Sequence, residues 1–131
     1  MLAILATAGL LGGCSTESDR GAADERSAAN SYVTALNNRD TPALHKLAPP
    51  GNSADEDIKD RLARHGGRGI SVESVDLRKD FGEDHASAHV LGKDSQQQRF
   101  EERLTLTRVD GRWYVALGSN PGSGKPSSST R

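Results

Sequence analysis

The sequence RFEERLTLTRVDGRWYVAL, residues 99–117, predicts two strands joined by a tight turn. Apolar and polar residues alternate in both halves with the two-residue period of a strand. The apolar faces are Phe100, Leu104 and Leu106 in the first half and Trp113, Val115 and Leu117 in the second, with Tyr114 and Ala116 opposite. Asp110-Gly111 lies between them and is typical of two-residue hairpin turns, because both central positions need a positive φ. We therefore expect a β-hairpin at this end of the fold.

The preceding sequence predicts further strands of the same kind. ISVESVDLR has Ile70 and Val72 on one face and Val75 and Leu77 on the other. That change of face predicts a bulge or bend near Glu73-Ser74. HASAHVLGK then alternates Ala86, Ala88 and Val90 with His85, Ser87, His89 and Leu91. The links GEDH and KDSQQQ suit hairpin loops, so the segments predict an antiparallel meander.

Helices are predicted before the strands. From about Asp24 to Asn37 the apolar residues recur at the spacing of one helix face. They are Ala29, Tyr32, Val33 and Leu36. Helices followed by an antiparallel meander indicate the α+β class, with the N-terminal helices packed on the sheet.

Two shorter helices follow the first one. DTPALHKLAPPG predicts a helix with Thr41 as its cap and Pro42 in its first turn, where the missing N–H costs nothing. SADEDIKDRLARHGG predicts a third helix, in which Ser53 and Glu56 have the spacing of a capping box. In that helix Asp57 and Arg61 are spaced as an i, i+4 ion pair.

Composition limits the classes of function. The chain has 131 residues, of which 34% are hydrophobic and 4% aromatic, and its formal net charge is −1. No basic run is present, so we expect neither nucleic-acid binding nor a polybasic membrane patch. The periodic apolar residues indicate a folded domain rather than a disordered chain.

Cys14 is the one cysteine, and it follows an apolar run. A buried structural thiol is the usual role of a free cysteine, but Gly12 and Gly13 precede it and polar residues follow. A catalytic thiolate needs a basic neighbourhood on rigid structure, which this segment does not supply. A disulfide within the chain is impossible with one cysteine.

A fourth interpretation accounts for every feature of the segment. Residues 2–11 have the length of a signal-peptide core and are too short to span a membrane as a helix. Leu11-Gly12-Gly13-Cys14 resembles the lipobox of bacterial lipoproteins. The resemblance implies that a diacylglyceryl group is attached to Cys14 and that cleavage makes it the first mature residue. It further implies a membrane-anchored protein on the extracytoplasmic side of a bacterial cell.

These patterns divide the chain into four parts. We expect a lipoprotein signal peptide at 1–13, a flexible tether at 14–23, a folded domain at 24–118 and a disordered tail at 119–131. A signal peptide ordinarily opens with Lys or Arg, whereas Leu2 follows Met1 directly. We therefore expect either that the natural start codon lies further upstream or that the sequence is truncated at its N-terminus.

The order of the elements carries a second resemblance. Helix, short helix, helix and a bent sheet ending in VDGRWYV resemble the nuclear-transport-factor-2-like superfamily. The resemblance covers roughly residues 24–118 and implies a curved sheet that forms a cone around the helices. That superfamily includes isomerases, dehydratases and cyclases beside many non-enzymatic binding or dimerisation domains, so the fold does not determine the function.

Two aromatic residues are candidates for lining a pocket of such a cone. Tyr32 lies on the apolar face of the first helix, where core packing of its ring competes with a ligand-binding role for its hydroxyl. Trp113 lies on a strand face and has the same two alternatives. No acid or base can be paired with either of them by motif, so no catalytic residue is assigned.

The remaining candidates are given structural roles. His45 and His65 are expected on exposed helix segments, with His65 compensating a helix C-terminus. His85 and His89 share a strand face about 13 Å apart, too far for one metal ion. Asp40 is read as a helix cap, and ADEDIKD as a helix start rather than a calcium loop. PGSGKPSS departs from a phosphate-binding loop, so no metal and no cofactor is assigned.

The favoured function is a membrane-anchored, non-catalytic domain that binds a small apolar ligand or an envelope protein. The first alternative is an isomerase- or cyclase-type enzyme, which requires an acid or base beside Tyr32 or Trp113 with a perturbed pKa. The second is a structural module that forms a homodimer through its sheet. A cone filled by apolar side chains would argue against ligand binding inside it.

Overall fold

The structure is a computed structural model that describes residues 20–79 and 82–118. Three helices come first: α1 (Glu25–Asn38), α2 (Thr41–Leu47) and α3 (Asp55–His65). Four strands follow: β1 (Ser71–Arg78), β2 (His85–Lys93), β3 (Arg99–Val109) and β4 (Arg112–Val115). The predicted signal peptide, Cys14 and the predicted tail lie outside the described residues.

The strands form one antiparallel sheet in the order β1-β2-β3-β4, which confirms the predicted meander. The pairing of β1 with β2 shifts its register between Val72 and Ser74, where the sequence predicts a bulge. Because one extra residue is inserted there, Val72, Val75 and Leu77 all pack on the core side.

The predicted hairpin joins β3 to β4. Val109 pairs with Arg112, and the two residues between them have positive φ, 52° at Asp110 and 80° at Gly111. This is the backbone of the turn that Asp-Gly favours.

α1 is bounded nearly as the sequence predicts. The Asp24 carboxylate accepts the Ser27 N–H at 2.8 Å and caps the first turn. The buried face consists of Ala28, Ala29, Tyr32, Val33, Ala35 and Leu36. This face contacts all four strands, so α1 is the helix around which the curved sheet is built.

Two predicted helix caps are wrong. Asp40 caps α2, since its carboxylate accepts the Ala43 N–H at 3.1 Å, so the interpretation of Asp40 as a helix cap is confirmed and that of Thr41 as the cap is wrong. At α3 the cap position is Ala54, and no side chain bonds to it, so the Ser53–Glu56 capping box does not form. The Ser53 backbone instead packs against Gly118, and the acidic first turn of α3 compensates the helix N-terminus.

The space between the helices and the sheet is filled. The largest fully buried side chains are Tyr32, Leu36, Leu44, Ile58, Val90, Leu104, Leu106, Val115 and Leu117. All but Tyr32 are aliphatic. The part of the cone described by the structure is therefore a packed core rather than an open internal pocket.

Residues 20–23, the described end of the predicted tether, lie against the domain and are called the N-terminal strap here. Ala22 exchanges two backbone hydrogen bonds with Trp113, both 2.8 Å long, and is 7% exposed. Gly21 donates its N–H to the Lys46 carbonyl at 2.9 Å. The strap therefore pairs with β4, the last strand of the sheet, and connects it to α2.

Gly21→Ala tests the packing of the strap, with Gly111→Ala as its control. Both glycines have positive φ, but a Cβ at Gly21 would lie 2.9 Å from the Tyr114 ring, whereas nothing lies within 4 Å at Gly111. We expect Gly111→Ala to lower the free energy of unfolding by about 1–2 kcal/mol through backbone strain alone. Gly21→Ala should lower it by about 2–4 kcal/mol, because a steric clash is added. Equal losses in urea unfolding would contradict the described packing.

Candidate functional site

Polar side chains meet inside the otherwise apolar contact between α1, α3 and β3. We call Tyr32, Asp57, Arg61, His65 and Glu102 the inner cluster. The three α3 members are spaced four residues apart and so lie on one face of that helix. Glu102 lies on the inner face of β3, because it alternates in phase with the buried residues on either side of it.

Hydrogen bonds connect four members of the inner cluster: Tyr32, Asp57, Arg61 and Glu102. The Tyr32 hydroxyl donates to Glu102 at 3.1 Å from each carboxylate oxygen. Arg61 Nη1 donates to the Tyr32 hydroxyl and to Glu102 Oε2, both at 2.9 Å. Arg61 Nε donates to Asp57 Oδ1 at 2.8 Å, and Asp57 Oδ2 accepts the Gly118 N–H at 2.9 Å.

The surroundings of Tyr32, Asp57 and Arg61 shift the pKa of each group. Burial raises the pKa of Tyr32 far above its ordinary value, and the negative charge of Glu102 adds to this, so the phenol stays neutral. Burial alone would raise the pKa of Asp57, but hydrogen bonds from Arg61 and Gly118 outweigh it and lower the pKa. Burial opposes the charge on Arg61 too, yet its bonds to Asp57 and Tyr32 raise its pKa.

His65 forms the outer end of the inner cluster. Its Nε2 is 4.0 Å from Glu102 Oε1, and its ring meets Phe100 edge to face, with centroids 5.1 Å apart. Burial lowers the pKa of His65 below its ordinary value of 6.5, with neighbouring arginines acting in the same direction and Glu102 against it. His65 is therefore a half-buried imidazole whose lowered pKa favours the neutral form. It lies in the last turn of α3 as expected, but the expectation that it is exposed is wrong. The reason is the Phe100 ring, which covers it.

A surface cavity of about 290 Å³ opens beside His65. We call it the His65 cavity. It lies between the end of α3, the turn from β2 to β3 and the start of β3. Its lining includes Arg64, His65, Arg68, Ile70, Arg99 and Phe100. His65 is thus the one member of the inner cluster that also lines this cavity.

Tyr32 and Trp113, the two residues predicted as candidates for a pocket wall, are both in the interior. Tyr32 has no exposed surface, and its hydroxyl is fully engaged in the inner cluster. Trp113 is 3% exposed. Two cations lie over its indole ring, the Lys79 ammonium at 5.5 Å and the Arg108 guanidinium at 5.7 Å from the ring centroid.

Glu102 and the wider role of Arg61 were missed by the sequence analysis. The signal for Glu102 is its place in RFEERLTL, since alternation puts it on the same face as Phe100 and Leu104. The predicted i, i+4 pair between Asp57 and Arg61 is confirmed. Its extension to Tyr32 and Glu102 depends on tertiary packing and has no local signal.

The other histidines do not join this site. His45 pairs with Asp55 at 3.0 Å, and His89 pairs with Glu101 at 2.6 Å on β2 and β3. His85 is exposed. Within residues 20–79 and 82–118, no three histidine, cysteine or acidic side chains are grouped so that they could hold a metal ion.

Comparison with solved structures places the fold. The chain is similar to a crystal structure from Campylobacter jejuni of an NTF2-like protein named as a candidate transpeptidase. The TM-score is 0.52 at 17% sequence identity, and the likeness covers 72% of this chain and 99% of that one. The fold is NTF2-like. No protein-family model and no curated protein matches the sequence. At this identity the likeness carries the fold and not the activity, and the NTF2-like expectation from the order of elements is confirmed.

Titration of His65 tests its place beside Glu102. We expect a midpoint below 6.5 for the His65 ring in an NMR pH titration, because burial disfavours the charged form. Glu102→Gln should lower that midpoint further, since it removes the nearby negative charge. The unfolded chain binds this proton more readily, so the contribution of His65 to stability decreases as the pH falls below 6.5. A His65 midpoint that does not respond to Glu102→Gln would contradict the described geometry.

Proposed function

We propose that this protein is a lipid-anchored lipoprotein on the extracytoplasmic side of a bacterial membrane, and that its NTF2-like domain binds a ligand or an envelope protein without catalysing a reaction. The Leu11-Gly12-Gly13-Cys14 motif supports the anchor. The binding role without catalysis is supported by the inner cluster, because Tyr32, Arg61 and Glu102 use their polar groups to bond to each other.

The short distance from Cys14 to the folded domain is in keeping with an anchor at Cys14. No helix within the described ranges is long and apolar enough to cross a membrane. Two acyl chains provide stable anchoring, whereas one chain is marginal. Residues 15–19 separate Cys14 from the strap, and the six residue steps from Cys14 to Arg20 span at most about 22 Å when extended, so the anchor would hold the domain close to the bilayer.

The inner cluster supports a role without catalysis. A general base must reach the proton that it removes. Both oxygens of Glu102 accept hydrogen bonds within the cluster, and Tyr32 has no exposed surface. The groups that resemble an acid-base pair are therefore occupied with each other, and the surrounding cone is filled.

An acid-base enzyme is the second candidate, and one observation favours it. His65 is neutral, lines the His65 cavity and has a carboxylate, that of Glu102, 4.0 Å behind it. A histidine oriented by a carboxylate is a common arrangement for proton transfer. The distance is longer than a hydrogen bond, so the pair is not formed in this structure.

A structural dimer through the sheet is the third candidate. Interfaces of stable dimers are apolar at their centre. Besides Leu91, the outer face of this sheet carries polar side chains: Asp76, Ser87, His89, Glu101, Arg103 and Thr105. Its polarity favours a solvated face, and ligand binding remains the better-supported role.

Cys14→Ser tests the anchor, with Ser15→Ala as the matched control. In the native host we expect the unaltered protein and Ser15→Ala to incorporate labelled fatty acid and to fractionate with membranes. Cys14→Ser should take up no label, because the thiol to which the lipid is attached is gone. The account is wrong about the anchor if the unaltered protein stays unlabelled, or if Cys14→Ser is labelled as strongly as Ser15→Ala.

A further inference from the structure

We infer that the His65 cavity binds a small organic anion, with an acidic head held by arginines and an apolar body against Phe100 and Ile70. This inference rests on the proposed binding function and names the site and the ligand class. It differs from binding inside the cone, because the core leaves no open space there among the described residues.

The shape of the cavity favours a small molecule. Its volume of about 290 Å³ is near the lower end of the range for ligand sites, roughly 300–1,000 Å³. Phe100 and Ile70, each 5% exposed, provide an apolar floor. The His65 ring is fixed against Phe100 and forms part of the same wall. A concave site with an apolar floor suits an organic body better than a bare inorganic ion.

Three arginine side chains line the cavity. The exposed fractions are 57% for Arg64, 52% for Arg68 and 71% for Arg99. Each has a carboxylate nearby, at 3.5 Å from Arg64 to Asp60, 3.6 Å from Arg68 to Asp94 and 3.1 Å from Arg99 to Glu101. A guanidinium has five N–H donors, so one such contact leaves donors for a carboxylate or phosphate ligand.

The two acidic residues of the lining, Asp94 and Glu101, each accept hydrogen bonds from more than one group. Asp94 Oδ1 accepts the N–H groups of Gln96 and Gln98 at 2.8 and 2.9 Å, and these bonds lower the pKa of Asp94. Glu101 accepts from His89 at 2.6 Å as well as from Arg99. The lining thus holds three guanidiniums and two carboxylates, and each carboxylate has a further partner besides the arginine beside it. The arginines therefore outnumber the carboxylates by one, in a chain whose formal net charge is −1.

Benzoate is a suitable probe, with benzamide as its neutral counterpart and inorganic phosphate as the bare anion. Each is titrated into the full chain labelled with ¹⁵N. We expect benzoate to shift the amide signals of residues 64–70 and 94–101, and to bind at least tenfold more tightly than benzamide or phosphate. If benzamide bound as tightly as benzoate, the charge of the ligand would not contribute to binding. If phosphate bound as tightly as benzoate, the apolar floor would not contribute. Either result overturns the proposal, as does benzoate that shifts none of these signals.

Arg68→Gln and its control Arg78→Gln localise the binding. Arg68 lines the cavity, whereas Arg78 is an exposed arginine on β1 that also lies near a carboxylate, 3.9 Å from Asp76. We expect Arg68→Gln to weaken benzoate binding about tenfold, which corresponds to about 1.4 kcal/mol, and Arg78→Gln to leave it unchanged. The same spectra verify that each variant is folded. Equal affinities of the two variants would overturn the assignment.

The experiments on the anion site can fail while the proposed function holds. Fatty-acid labelling at Cys14 does not depend on this cavity. A labelled, membrane-bound protein that ignores benzoate would refute the anion site and leave an anchored binding domain. Amide signals of residues 64–70 and 94–101 that shift with an acidic peptide, but not with benzoate, would assign the cavity arginines to a protein partner and overturn the small-molecule site.

Discussion

A carboxylate inside an apolar interface must be compensated, and the arrangement of this domain depends on how Glu102 is compensated. An unpaired charge in such a place costs several kcal/mol. Arg61 supplies the opposite charge from α3, and Tyr32 supplies a hydroxyl from α1. One side chain of the sheet therefore bonds to both α1 and α3, and Asp57 extends the same bonding to the backbone that follows β4.

This constraint has a consequence for function. The polar groups that other proteins use to bind or activate a ligand are used here to hold the helices on the sheet. The binding that we propose is consequently at the outer end of the inner cluster, where His65 separates Glu102 from a cavity lined by arginines. His65 is the residue through which a bound ligand would influence the packed interior, and through which the charge of Glu102 influences the site.

Much of the fold could be predicted from the sequence, because local signals agree with the tertiary arrangement. The alternation in β2, the change of face at the β1 bulge and the Asp110-Gly111 turn are all found in the structure. The capping box at Ser53 failed, since the backbone there packs against Gly118, a residue distant in sequence.

The candidate site was harder to predict than the fold. Apolar alternation does not point to Glu102, a charged residue between the buried Phe100 and Leu104 on β3. The partners of Arg61 beyond Asp57 lie on two other elements, and only packing brings them together. The sequence predicted an exposed His65 because its packing partner, Phe100, lies on another element. The lipid anchor at Cys14 stays a prediction of the sequence.

A double-mutant cycle on Arg61 and Glu102 measures the central constraint most directly. Arg61→Gln, Glu102→Gln and the double variant are compared in urea unfolding, beside the same cycle on the exposed pair Arg64 and Asp60, whose side chains are 57% and 72% exposed. The account predicts a coupling energy of about 1–3 kcal/mol for the inner pair and about 0.5 kcal/mol or less for the exposed pair. An inner coupling no larger than the exposed one would contradict it, since Arg61 would then not be what allows Glu102 to lie inside the fold.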